Sequence, residues 1–204
     1  MIRTDMVTPD KILSYWFGEL ADDAECAAQM AALWWQKGEK TDCDIAARFG
    51  ESLEIAMQGG LDDWSRDPRS LVALIILLDQ FSRNIYRGTR RAFEQDTQAF
   101  ELCRIGVDAG TDMDLRPIER VFFYLPLEHA ESIEAQQQCV ALYEQLRDDV
   151  EDAHRATFEG YVDYANKHRE VIEKFGRFPH RNAILGRDST PQELEYLAQP
   201  GAGF

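Results

Sequence analysis

Leu71-Val72-Ala73-Leu74-Ile75-Ile76-Leu77-Leu78-Asp79-Gln80-Phe81-Ser82-Arg83-Asn84 is the stretch that decides the fold class. Asp67-Pro68 ahead of it starts a helix, and Gly88 behind it supplies a stop. The spacing predicts a helix over Ser70 to about Arg87. Eight consecutive apolar residues leave that helix no face for water, so it is buried all round and other helices must enclose it. The same helix then runs straight into polar residues. Asp79, Arg83 and Arg87 follow at i, i+4 and i+8 on one stripe, and Gln80 and Asn84 share the adjacent stripe. Two readings stand. Asp79 and Arg83 can be an intrahelical pair, with Arg83 and Arg87 complementing the negative helix end. Alternatively, charges emerging from a core helix are costly unless paired, and are kept because the protein uses them.

The rest of the chain supplies the enclosing helices. Thr8-Pro9 opens one with Ile12, Leu13, Trp16 and Phe17 inward, ending at Gly18. A second covers Asp22–Gln36 and ends at Gly38. Thr41 caps a third, with Ile45, Phe49, Ser52, Leu53 and Ala56 on one stripe and Gly59-Gly60 as its stop. A fifth runs from Arg91 to Ala109. Pro117 opens a short sixth, Ile118–Leu125, halted by Pro126, and helical pattern resumes from Leu127 to about Leu146. A long helix spans Arg155–Phe175 and stops at Gly176. Thr190-Pro191-Gln192-Glu193 caps a final short helix with Leu194 and Leu197 inward. No period-2 strand is present. Short links between successive helices imply antiparallel neighbours, and no 34-residue repeat consensus fits the chain. The expectation is a single all-α domain over residues 1–204.

The chain has 204 residues, 45% hydrophobic and 29% charged, the balance of a globular protein. Its formal net charge of −15 argues against nucleic acid and anionic membranes as partners, though not against a local basic pocket. Cys26, Cys43, Cys103 and Cys139 form no C-x-x-C pair and read as buried or half-buried free thiols. No N-terminal apolar run resembles a leader, and Leu71–Leu78 is too short to span a bilayer, which points to a reducing, cytoplasmic setting.

Two further clusters carry chemistry-bearing residues. In Phe122–Glu131, Pro126 places Glu128 and His129 in the first turn of the following helix. There a carboxylate suits the positive dipole end; alternatively the two form an acid/base or ligand pair, although neighbours on a helix point about 100° apart. In Phe175–Asn182, Pro179 forces Phe178 extended and holds His180, Arg181 and Asn182 in a constrained non-helical segment. Glu151 and His154 make one E-x-x-H without the second copy a di-iron bundle needs. Nucleotide, zinc-protease and hydrolase motifs are absent, and Trp16, Trp34 and Trp35 read as core. No metal or cofactor is expected.

Trp16-Phe17-Gly18, Leu78–Thr89, Tyr124–His129 and Gly176–Asn182, in that order, resemble the bacterial family called domain of unknown function 924, over about residues 9–198. The resemblance implies a TPR-like right-handed superhelix of antiparallel helix pairs and no established reaction. Where the family usually has proline this chain has Ser82, which relaxes the helix there. Two functions fit. One is a helical binding module in which Arg83, Arg87, Arg177 and Arg181, with Gln80, Asn84 and Asn182, grip a small anionic molecule or peptide. The other is an enzyme on a small anionic substrate, with His129 or His180 as acid/base and Asp79 or Glu128 as partner. An internal ion-pair lattice is the third possibility. The three clusters are expected to converge, in a monomer or homodimer.

Overall fold

The structure, a computed structural model, describes residues 7–203. Residues 1–6 and 204 of the expected domain lie outside that range. So does most of the N-terminal stretch read as lacking a leader.

Chain punctuation sets the helices. Thr8, Asp22, Asp67, Ser132 and Thr190 each accept a hydrogen bond from the backbone N–H three residues on, and prolines stand in the first turn of four helices. The elements are α1 (Pro9–Phe17), α2 (Asp23–Trp35), α3 (Glu39–Met57), α4 (Pro68–Ile76), α5 (Ser82–Ile85), α6 (Asp96–Asp108), α7 (Pro117–Glu128), α8 (Ile133–Asp149), α9 (Asp152–Phe175), α10 (Asn182–Leu185) and α11 (Pro191–Leu197). Among the described residues there is no strand. No helix is long and apolar enough to cross a membrane.

Leu71–Leu78 is fully enclosed, as its composition requires. Residues of α4 pack on α1, α6 and α7, while the turn that follows packs on α3. That turn, Leu77–Phe81, is π-helical and joins α4 directly to α5. A π-turn adds one residue to the helix and shifts the facing of everything after it. The predicted single helix to Arg87 is therefore broken in pitch and ends at Ile85.

Several boundaries differ from expectation. α3 starts at Glu39 behind Gly38, two residues before Thr41. The fifth predicted helix is split, with a 3-10 turn at Arg90–Phe93 and α6 beginning only at Asp96. α9 begins at Asp152, ahead of Arg155. Leu194 in α11 is exposed instead of inward. Cys43 is exposed, whereas the other three thiols are buried.

The largest difference lies in α7, which runs through Pro126 to Glu128. A proline inside a helix removes one hydrogen bond and crowds the preceding turn. Here every residue from Ile118 to Glu128 is buried, and that packing outweighs the local penalty. The chain turns instead at His129–Ser132. Gln136 of α8 closes the end of α7, its Nε2 donating to the carbonyls of Glu128 at 2.6 Å and Ala130 at 2.9 Å. Glu128 and His129 thus sit at the negative end of a helix, not in the first turn of the next one.

Candidate functional site

Asp79 enters the interior because the π-turn carries it there, and its side chain is 1% exposed. Three neighbours satisfy its carboxylate. Gln80 Nε2 donates to Oδ2 at 2.6 Å, Arg83 Nη1 lies 3.1 Å from Oδ1, and His129 Nδ1 lies 2.8 Å from Oδ1. Burial alone would raise this carboxyl, but Arg83 and His129 more than offset it and hold the group well below the usual carboxylate range. In His129 burial and the charge of Arg83 win over the pull of Asp79, so its pKa is lowered. The neutral imidazole donates its Nδ1–H to Asp79, which leaves Nε2 as the basic nitrogen.

Arg83 also reaches across the cluster to Asp96, with Nη1 and Nη2 donating to the two carboxylate oxygens at 2.9 and 3.2 Å. Arg181 Nη1 reaches the same Asp96 at 3.3 Å. Two carboxylates and two guanidinium groups therefore alternate through the cluster. Arg83, Asp96 and His129 are the members that reach solvent, with side chains 18%, 22% and 15% exposed.

Glu128 turns away from Asp79 and meets His168 of α9, Oε1 to Nδ1 3.2 Å. Burial, reinforced by the charge of Asp79, pushes the Glu128 carboxyl up to about 8. Burial likewise draws His168 down to about 3. The rings of His129 and His168 lie 6.3 Å apart, and those of His168 and His180 each lie 5.6 Å from Phe178. Three of the chain's four histidines thus gather in one place. His180 is lowered to about 4 by burial and by the charge of Arg181. Gly203 lies directly against it, the ring carbon Cγ being 3.3 Å from where a glycine Cβ would stand.

The three polar stretches converge, then, but not every residue they contain. Asn84 and Arg87 lie beyond the π-turn and bind Asp42 of α3 instead, Arg87 with a two-pronged contact at 2.6 and 2.8 Å. Arg177 is held the same way by Glu193 at 2.7 and 2.9 Å. Asn182 is fully enclosed, bonding Ser189 and accepting from Arg187 Nε at 3.0 Å. The stretch after Pro179 is a 3-10 turn and a short helix, not a non-helical loop. Phe178–Asn182 is pinned by Glu131, which accepts from the Phe178 backbone at 2.8 Å and from Arg187 at 2.6 and 2.9 Å.

Sequence reasoning missed Asp96 and His168. Asp96 carries no local signal, because it opens a helix where carboxylates are ordinary. His168 had one: it falls on the apolar stripe Phe158, Val162, Ala165, Ile172, where an imidazole is out of place. Among the described residues no group of three or more His, Cys, Asp or Glu is placed to hold a metal ion.

Fold and geometry together define an all-helical protein with a largely buried Asp–His–Arg cluster. The chain belongs to the bacterial protein family of unknown function DUF924, whose model matches residues 12–201. A protein of unknown function from Agrobacterium tumefaciens, ATU0120, has a similar structure at 36% identity, with a TM-score of 0.72, covering 87% of this chain and 99% of that one. Comparison with curated proteins gives no match.

Proposed function

We propose that the cluster binds a small anionic molecule and that His129 acts on it as general base. The 2.8 Å contact between Asp79 Oδ1 and His129 Nδ1 carries the reading. A buried carboxylate that fixes the tautomer of a neutral imidazole leaves Nε2 oriented to take a proton. Arg83 and Arg181 supply the positive charge an anion needs. The neighbouring Asp79 and Glu128 carboxyls are displaced in opposite directions, the pattern of paired acid/base groups. Gathering of the polar groups at one point favours a small molecule over a peptide laid along a groove. The frame we propose for the site is the TPR-like superhelix of the family resemblance.

A thermal-shift screen of anionic metabolites finds a compound that raises the melting temperature of the wild type. Mass spectrometry then shows that compound converted by the wild type and recovered intact with His129→Gln. Conversion at equal rates by both proteins would remove His129 from the chemistry.

One observation favours a purely structural lattice: Asp79 and Asp96 balance Arg83 and Arg181 in charge. That reading requires Arg83→Ala to destabilise by about 3–5 kcal/mol, the cost of leaving a buried partner unpaired, and requires that no anion in the screen stabilises the wild type.

A further inference from the structure

Arg181 lies against two aromatic rings. Its guanidinium carbon lies 4.5 Å from the centroid of Phe178 and 4.9 Å from that of Phe93. The guanidinium donors lie in its plane, so its hydrogen bonds run along the edges of the fork. Nη1 uses one on Asp96 at 3.3 Å. Nε, shut away from solvent, has no hydrogen-bond partner among the described residues. An unmade bond on a buried cation is costly, and proteins rarely leave one without reason. Burial and the charge of Arg83 accordingly draw the guanidinium down to about 10.

The geometry points to the Nε edge of Arg181 as a docking subsite for the carboxylate of a monocarboxylic acid with an aryl or other apolar body. This rests on the reading of the cluster as an anion site and names the ligand class. A carboxylate is planar and matches the Nε–Nη2 side of the fork with two parallel bonds. Such a carboxylate lies in the guanidinium plane. A tetrahedral phosphate projects oxygens out of that plane. Charge argues the same way, since two carboxylates already balance two guanidinium groups, and a dianion would leave more negative charge uncompensated. The apolar body has a wall to lie on. Beside Phe178 is the His168 ring at 5.6 Å, and beside that the half-exposed Tyr164 ring at 5.8 Å. Ligand entry is past Arg83 and Asp96, the solvent-facing members. Bound there, the acid lies within the field that Arg181 exerts on His129.

The test is an NMR titration of the full ¹⁵N-labelled chain at neutral pH and constant ionic strength. Phenylacetate, acetate and inorganic phosphate are the probes, and the side-chain Nε–Hε signal of Arg181 and the imidazole signals of His129 are followed. Arg181 is assigned by the signal lost in Arg181→Lys or, should that variant not fold, by its contacts with the ring protons of Phe93 and Phe178. Arg181 should shift saturably with both carboxylates and not with phosphate. Phenylacetate should saturate it at about tenfold lower concentration than acetate, the gain from burying part of one ring. Phosphate acting as strongly as acetate, phenylacetate binding no tighter than acetate, or an Arg181 signal that never moves overturns the proposal. His129 separates the two levels: carboxylates that shift His129 but not Arg181 defeat the subsite and leave the site standing, whereas silence at both defeats both.

Discussion

Glu128 is a buried carboxyl, and its consequence for stability has a definite sign. Its carboxyl titrates at about 8 in the folded protein against an ordinary 4.5. Between those values the unfolded chain has lost the proton that the folded chain keeps, so this group's contribution to stability falls as pH rises from about 4.5 to 8. His168, lowered from 6.5 to about 3, acts in the opposite sense and loses its contribution as pH falls through that window. Glu128→Gln isolates the first effect, because Gln copies the shape of the neutral acid and cannot ionise. Wild type and variant should melt alike near pH 4.5. By pH 8 the variant should be the more stable by about 1–3 kcal/mol, a conservative share of what a shift of this size carries. A gap between the two that does not change with pH would mean that Glu128 is not held neutral. The carboxylate sits beside Cys139 and Tyr143, both of which burial keeps protonated throughout this range.

At the scale of the element, α6 shows why intrinsic preference loses to packing. Gly106 lies in its interior, where alanine would ordinarily add stability. A Cβ there would stand 2.5 Å from the Phe123 ring of α7 and 3.2 Å from Leu71 of α4. Gly106→Ala should therefore lower stability by about 1–3 kcal/mol, the usual cost of overpacking a core. Gly160→Ala in α9 is the control, since nothing lies within 4 Å of its Cβ position, and it should gain about 0.5–1 kcal/mol. Equal melting shifts in the two variants would contradict the close approach of α4, α6 and α7. The same contest decides what the sequence could reveal. Caps at Thr8 and Thr190 are local hydrogen bonds, and each was legible at its residue. Pro126 was misread because local rules see a lost hydrogen bond but not the burial of α7 on its neighbours. The π-turn at Leu77–Phe81 was invisible for a related reason: periodicity marks a helix, and one extra residue inside an apolar run leaves the composition unchanged. Asp79, Arg83, His129 and Arg181 were found as oddities of their own segments, whereas their partners Asp96 and His168 sit in elements with no such oddity to notice.

Across the whole molecule the site is assembled from segments of unequal stability. Asp79, Arg83, Glu128 and His129 are carried on elements rooted in the main core. Phe178, His180 and Arg181 belong to a part of the chain that packs on a small separate cluster, Val171, Ile172 and Phe178 with Ile133, Phe175 and Tyr196 around it. So little apolar contact cannot hold that part alone. Arg187 adds polar ties, with two bonds to Glu131, one to Asn182 at 3.0 Å and one to the Phe178 carbonyl at 3.2 Å. Arg187→Ala removes all four. With the side chains of the Arg187–Glu131 pair only 24% and 26% exposed, its loss should release residues 178–197 by about 1–2 kcal/mol. Hydrogen exchange should then quicken by roughly tenfold or more in residues 178–197 and stay unchanged in α4 and α7. Because Arg181 opens with the segment, phenylacetate binding should weaken by the fraction of molecules in which the segment is closed, while the global melting transition moves little. Uniform loss of protection through α4 and α7 would show instead that the segment and the core unfold as one unit. In that case the site has no independent hinge, and access to Arg181 is governed by its entrance at Arg83 and Asp96.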